Sequence, residues 1–144
     1  MSYFSSDFTL GILGGGQLGK MLLYETRKWD ISTKVMDPSE EAPSRLACNT
    51  FEVGDLMDYQ TVMDFGKDVD LLTIEIENVN AEALADLEKS GVLVYPGART
   101  LQVIQNKARQ KLFYRDSGIP TAAFSRFAFT LEIYDSLENG GLSF

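Results

Sequence analysis

Histidine is absent from the sequence, and cysteine occurs once, at Cys48. Each scarcity excludes something. Without histidine there is no Ser-His-Asp triad, no histidine-activated thiol and no histidine-ligated zinc. Any chemistry therefore rests on carboxylates, lysines, arginines, backbone donors or a metal held by oxygen ligands. One cysteine precludes an internal disulfide; alone in the run Arg45-Leu46-Ala47-Cys48-Asn49, it reads as a small packing residue. Basic residues are the minority, 13 Lys and Arg against 21 Asp and Glu, for a net charge of −8. That balance argues against a nucleic-acid or anionic-membrane surface, which needs clustered cations. No apolar run approaches the ~20 residues of a membrane span, and the amino terminus lacks the charged-then-apolar pattern of a secretory signal. A cytoplasmic protein with neither membrane nor nucleic-acid partners is the expectation, and 144 residues suffice for one domain with its own core.

What is abundant is glycine in one place. Leu10-Gly11-Ile12-Leu13-Gly14-Gly15-Gly16-Gln17-Leu18-Gly19-Lys20-Met21 reads as a strand, a glycine turn and a helix. Leu18, Met21, Leu22 and Trp29 recur at helical spacing and are expected on one buried face. Three consecutive glycines let the backbone take positive φ and approach a ligand closely. The first N–H groups of the helix point into the same turn, which makes it a place for a phosphate. Gly14-x-Gly16-x-x-Gly19 also satisfies the dinucleotide fingerprint, with Asp37 ending the next apolar run at about the ~20-residue distance that fingerprint expects.

The rest of the chain alternates. Residues 1–8 read as a frayed leader. A helix over residues 17–29 is followed by a strand over 32–36 and a loop, Asp37-Pro38-Ser39-Glu40-Glu41-Ala42-Pro43, broken twice by proline. A third strand covers 50–53, and a helix follows in which Tyr59, Val62 and Met63 share a face. Residues 69–75 carry the strongest apolar run and are expected to form a strand covered on both sides. Asn80 caps a helix to about Ser90, with Val79 and Leu84 as a hydrophobic staple and Gly91 as its stop. A fifth strand covers 92–95. Pro96-Gly97 leads into a helical region striped by Leu101, Ile104, Ala108 and Leu112, ending at Ser117-Gly118, and a short helical stretch is expected near 131–137. The fold class is α/β, a doubly wound, mostly parallel sheet of four to five strands.

Glu75-Ile76-Glu77-Asn78 places two carboxylates and an amide at the carboxyl end of the most apolar strand, where open α/β sheets bind ligands. Strand periodicity puts Glu75 and Glu77 on one pleat face, able to accept hydrogen bonds from a ribose or an amine. Lys107 and Lys111, a helical turn apart, share a side of their helix.

Gly14-Gly15-Gly16-Gln17-Leu18-Gly19-Lys20-Met21, Asp37-Pro38, Gly54-Asp55, Thr73-Ile74-Glu75-Ile76-Glu77-Asn78-Val79, Gln105-Asn106-Lys107 and Gly118-Ile119-Pro120-Thr121 together resemble the amino-terminal, pre-ATP-grasp (Rossmann-like) domain of the N5-carboxyaminoimidazole ribonucleotide synthases, ATPase subunits of phosphoribosylaminoimidazole carboxylase in the ATP-grasp superfamily. The resemblance implies a purine-biosynthesis ligase that carboxylates 5-aminoimidazole ribonucleotide with ATP and bicarbonate, with Mg2+ accompanying the ATP and a homodimer as the full-length form. Gly14, Gly15, Gly16, Gln17, Leu18, Glu75, Glu77 and Asn78 would bind the ribonucleotide and Lys107 an ATP phosphate; no catalytic residue and no metal ligand is assigned. Lys20 and Lys107 stand where many relatives have arginine, and Asn80 where many have proline. The resemblance further implies residues 9–121 as the pre-ATP-grasp domain, 122–144 as the start of a connection into an ATP-grasp domain beyond this sequence, and no ligase activity for the 144 residues alone. Two other readings compete: an NAD(P)-binding Rossmann domain of an oxidoreductase, and a non-catalytic nucleotide-sensing module.

Overall fold

The computed structural model describes residues 7–127 and 132–134; the expected leader and most of the expected 131–137 helix lie outside them. The chain forms two compact units divided between Gln105 and Asn106. The first contains a five-stranded parallel sheet: β1 (Thr9–Leu13), β2 (Ser32–Asp37), β3 (Thr50–Val53), β4 (Leu71–Ile74) and β5 (Leu93–Tyr95), in the order β3-β2-β1-β4-β5. Its helices are α1 (Gln17–Arg27), α2 (Tyr59–Gly66), α3 (Ala81–Ser90) and α4 (Ala98–Ile104); α5 (Lys107–Asp116) belongs to the second unit. The doubly wound reading is what the sheet shows.

The two faces of the sheet differ. Leu13, Met36 and Leu72 point to one side, where Val62 and Phe65 of α2, Leu84 and Leu87 of α3 and Leu101 of α4 complete the larger core. Their strand neighbours Ile12 and Val35 point to the other side and meet Leu23 of α1, with Ala47, Cys48 and Phe51 around them. Successive strand residues face opposite ways, and right-handed crossovers carry α1 to one face and α2 and α3 to the other. The connection from β2 to β3 contains no helix and packs beside α1 through Ala47 and Cys48.

Local signals set several boundaries. Asn80 Oδ1 accepts the N–H groups of Glu82 and Ala83 at 3.1 and 2.9 Å, Val79 and Leu84 are fully buried, and Gly91 ends α3 at φ +100°. Asp58 caps α2 by accepting from Thr61 N–H. On α2 the inward residues are Val62, Phe65 and Gly66, not Tyr59, whose hydroxyl donates to Asp86 at the surface.

Three further expectations are corrected. On α1 the buried residues are Gly19, Leu23 and Thr26, whereas Leu18, Met21 and Trp29 are 68%, 61% and 57% exposed and Leu22 is also exposed. Small residues decide this face: a Cβ on Gly19 would stand 3.2 Å from Gly14 O and 3.1 Å from Ser44 Oγ, so the helix sits close to the turn there. The stripe from Leu101 to Leu112 is not one helix, because α4 ends at Ile104 and Asn106 caps α5 by accepting from Arg109 N–H at 3.0 Å. No residue of α5 is buried. Finally, β4 stops at Ile74 and residues 75–77 form a bend, so Glu75 and Glu77 do not share a strand face.

Candidate functional site

The carboxyl ends of β1, β2 and β4 meet at the point where strand order reverses, the place at which open α/β sheets hold ligands. A cleft of about 320 Å³ opens there, lined by Gly16, Asp37, Pro38, Asp55, Leu56, Met57, Glu75, Ile76 and Asn78. Its polar lining is acidic.

The glycine turn is shaped by the residues that surround it. Gly14 has φ +101°, a conformation that side chains with a Cβ rarely adopt, and its N–H donates to Met36 O at 2.9 Å. A Cβ added there would lie 2.8 Å from Glu75 Oε2, and one added to Gly16 would lie 2.5 Å from Glu75 Oε1. The Glu75 carboxylate therefore lies across the turn, in the space that a Cβ at either position would take. Glu75 is itself anchored, its N–H donating to Leu13 O at 2.7 Å. The bend that follows is held from behind by Gln105, whose side-chain amide donates to Glu77 O at 2.8 Å and Val79 O at 2.7 Å.

On the other side Gly15 N–H donates to Asp37 Oδ2 at 2.7 Å. Ser44, wholly buried, donates its N–H to Gly15 O at 2.9 Å and its hydroxyl to Gly16 O at 3.2 Å. The expected phosphate turn thus has Gly14 and Gly15 N–H groups satisfied from within the protein. Gly16 caps α1 without a side-chain bond, and Gln17 and Leu18 follow it exposed at the first turn.

Among the sequence-derived candidates, Gly16, Glu75 and Asn78 line the cleft, Gly14 and Gly15 precede Gly16 in the turn without lining it, and Gln17 and Leu18 follow as exposed residues of α1. Glu77 is exposed and does not line the cleft. Lys107 opens α5 in the second unit. Asp55 and Ser44 were not among the candidates. Asp55 is flagged only by the Gly54-Asp55 pair, and Ser44 by nothing in its polar surroundings. Among the described residues no group of three or more Cys, Asp or Glu converges to hold a metal ion. Burial pushes the Cys48 thiol up and its Sγ donates to Arg45 O at 3.4 Å, an environment that does not favour the thiolate.

A parallel sheet with a glycine turn and an acidic cleft at its switch point defines a Rossmann-like α/β domain whose turn is closed by its own side chains. Residues 8–105 match the family model of the ribonucleotide synthetase preATP-grasp domain, and the chain belongs to that family. It is 36% identical over 120 residues to the chloroplastic phosphoribosylaminoimidazole carboxylase of Vigna aconitifolia, covering 83% of this chain and 22% of that protein. The crystal structure of N5-carboxyaminoimidazole ribonucleotide synthetase from Thermus thermophilus superposes with a TM-score of 0.80 at 35% identity, over 92% of this chain and 36% of that one. The synthase of Aspergillus clavatus, in complex with ADP and 5-aminoimidazole ribonucleotide, superposes with a TM-score of 0.72 at 34% identity, over 81% of this chain and 31% of that one. The chain thus spans between about a fifth and two fifths of these relatives' length. These likenesses give the oxidoreductase alternative no support.

Proposed function

We propose that this chain is the ribonucleotide-binding part of an ATP-dependent carbon–nitrogen ligase that carboxylates the exocyclic amine of 5-aminoimidazole ribonucleotide, using bicarbonate activated as carboxyphosphate. The observation that carries the reading is the Glu75 carboxylate laid across Gly14 and Gly16 at the switch-point cleft. A carboxylate there accepts hydrogen bonds from an amine or from ribose hydroxyls, and Asn78 adds both a donor and an acceptor. Gln17 and Leu18 face the ribonucleotide from the first turn of α1, and Gly15 keeps the turn narrow. Glu77 acts only through its backbone carbonyl, which fixes the bend. The relative solved with ADP and 5-aminoimidazole ribonucleotide supports both ligands.

Lys107 is proposed as a point charge toward an ATP phosphate. The described residues do not fit a magnesium ion, since they supply no converging carboxylate set. Residues 9–121 are proposed as the pre-ATP-grasp domain, with 122–144 leading toward an ATP-grasp domain. The whole enzyme is proposed as a cytoplasmic homodimer.

Titration of the chain with 5-aminoimidazole ribonucleotide and, separately, with NADH tests the reading. Ribonucleotide binding that is weakened at least about tenfold by Glu75→Gln, with unchanged folding, is the expected result; NADH binding without ribonucleotide binding overturns it. Phosphate release from ATP, bicarbonate, magnesium and the ribonucleotide should be absent for these 144 residues, because charge stabilisation supplies most of the catalysis of phosphoryl transfer and they offer one lysine toward it.

A further inference from the structure

In a dinucleotide domain the glycine turn offers its N–H groups to a pyrophosphate, while the acid ending the second strand turns outward to ribose hydroxyls. The spacing of Gly14, Gly16, Gly19 and Asp37 satisfies that pattern, but the geometry inverts it. Asp37 turns inward. Its Oδ2 accepts Gly15 N–H at 2.7 Å and its Oδ1 accepts Ser39 N–H at 2.8 Å, so both oxygens are engaged. Gly14 N–H is taken by Met36 O at 2.9 Å. From the carbonyl side Ser44 ties down Gly15 and Gly16, which keeps the turn from peeling away from Asp37. On the opposite flank stands the Glu75 carboxylate, where a Cβ on Gly14 or Gly16 would collide with it.

We infer that Asp37 is a specificity-determining residue: a built-in anion that occupies the Gly15 donor a bound phosphoryl group would occupy and, with Glu75 on the other flank, excludes phosphate and pyrophosphate from the glycine turn. Two physical effects act together. The donor at Gly15 is already in a charge-assisted hydrogen bond, so an incoming phosphate must displace a carboxylate to use it. Any phosphate at the turn also faces like charges on both sides in a half-buried setting, where screening by salt is weak. The fingerprint glycines serve close packing, Gly14 and Gly16 against Glu75 and Gly19 against Ser44 and the Gly14 carbonyl, not approach to a pyrophosphate. The exclusion follows from the geometry of the turn whether or not the cleft takes a ribonucleotide.

The test uses inorganic pyrophosphate as probe, titrated into the wild-type chain and into Asp37→Asn, Asp37→Ser and, as a remote charge control, Asp116→Asn. The wild type and the control are expected to show no binding at millimolar pyrophosphate, and both Asp37 variants a gain of at least about tenfold in affinity. Binding by the wild type as tight as by the variants overturns the inference, as does the lack of any gain in folded variants. Should both variants fail to fold, the wild-type Gly15 amide resonance decides: unmoved by pyrophosphate it upholds the exclusion, and shifted it overturns it. Titration of the same proteins with 5-aminoimidazole ribonucleotide reports on the ribonucleotide reading separately.

Discussion

At the scale of single residues, the glycine turn shows two different requirements for the same amino acid. Gly14 needs its positive φ, whereas Gly16 has an ordinary backbone, φ −69°, and needs only the space taken by Glu75. Gly16→Ala is therefore expected to change stability by less than about 1 kcal/mol, because the end of a glutamate side chain moves aside, while ribonucleotide affinity falls as the carboxylate is displaced. Urea unfolding and ligand titration of the same variant check this, and retained affinity sinks the role given to Glu75. Asp58 gives a pH-dependent counterpart. Hydrogen bonds from the side chain and backbone of Thr61 hold its carboxyl below the ordinary 3.8. A lowered folded value means that its contribution is present above the ordinary value and is lost as pH falls through the lower one. In Asp58→Asn, which still caps the helix, the stability difference between neutral pH and pH about 3 should shrink; an unchanged difference shows that Asp58 does not carry it. The glycine motif was legible in the sequence because glycine runs are local. That Glu75 imposes it, and that Ser44 and Asp37 fasten it, was not, since those contacts join residues far apart in the chain.

At the scale of elements, ends were easier to read than faces. Asn80 and Gly91 mark the limits of α3 through side-chain and backbone chemistry confined to a few residues. Asn80→Ala is expected to cost about 1 kcal/mol, read as a lower denaturation midpoint with unchanged slope. The inward face of α1 depends instead on what the helix packs against. Leu18, Met21, Leu22 and Trp29 outweigh Gly19, Leu23 and Thr26 in apolar bulk, yet the smaller set lies on the sheet. Leu23→Ala should then cost about 2–5 kcal/mol and Met21→Lys less than about 0.5 kcal/mol; a reversed order in urea titrations refutes the orientation of α1. The break at Gln105 was hidden for a related reason. An apolar period can run across two helices, and only the cap at Asn106 and the bonds from Gln105 to the bend after β4 reveal the division.

At the scale of the whole molecule, the alternation of strands and helices was enough to reach the fold class, since parallel strands need crossovers and crossovers have one hand. The inequality of the two faces was not, because it arises where β2 runs to β3 without a helix and α1 is left to cover its side with the connection alone. That inequality governs how the native state comes apart. The face carrying α2, α3 and α4 binds its strands through the larger cluster, while α1 and the β2–β3 connection hold on through Ile12, Leu23, Val35 and their half-buried neighbours. Segments with fewer buried apolar partners open at lower free energy and form cooperative units of their own. Backbone amides of β4 should accordingly exchange with solvent only through global unfolding, while those of Ser44 and Ala47 exchange through a smaller, sub-global opening. Because Ser44 sits on the part that opens first and ties down the Gly15 and Gly16 carbonyls of the glycine turn, loss of ligand recognition should precede loss of the sheet as denaturant is raised.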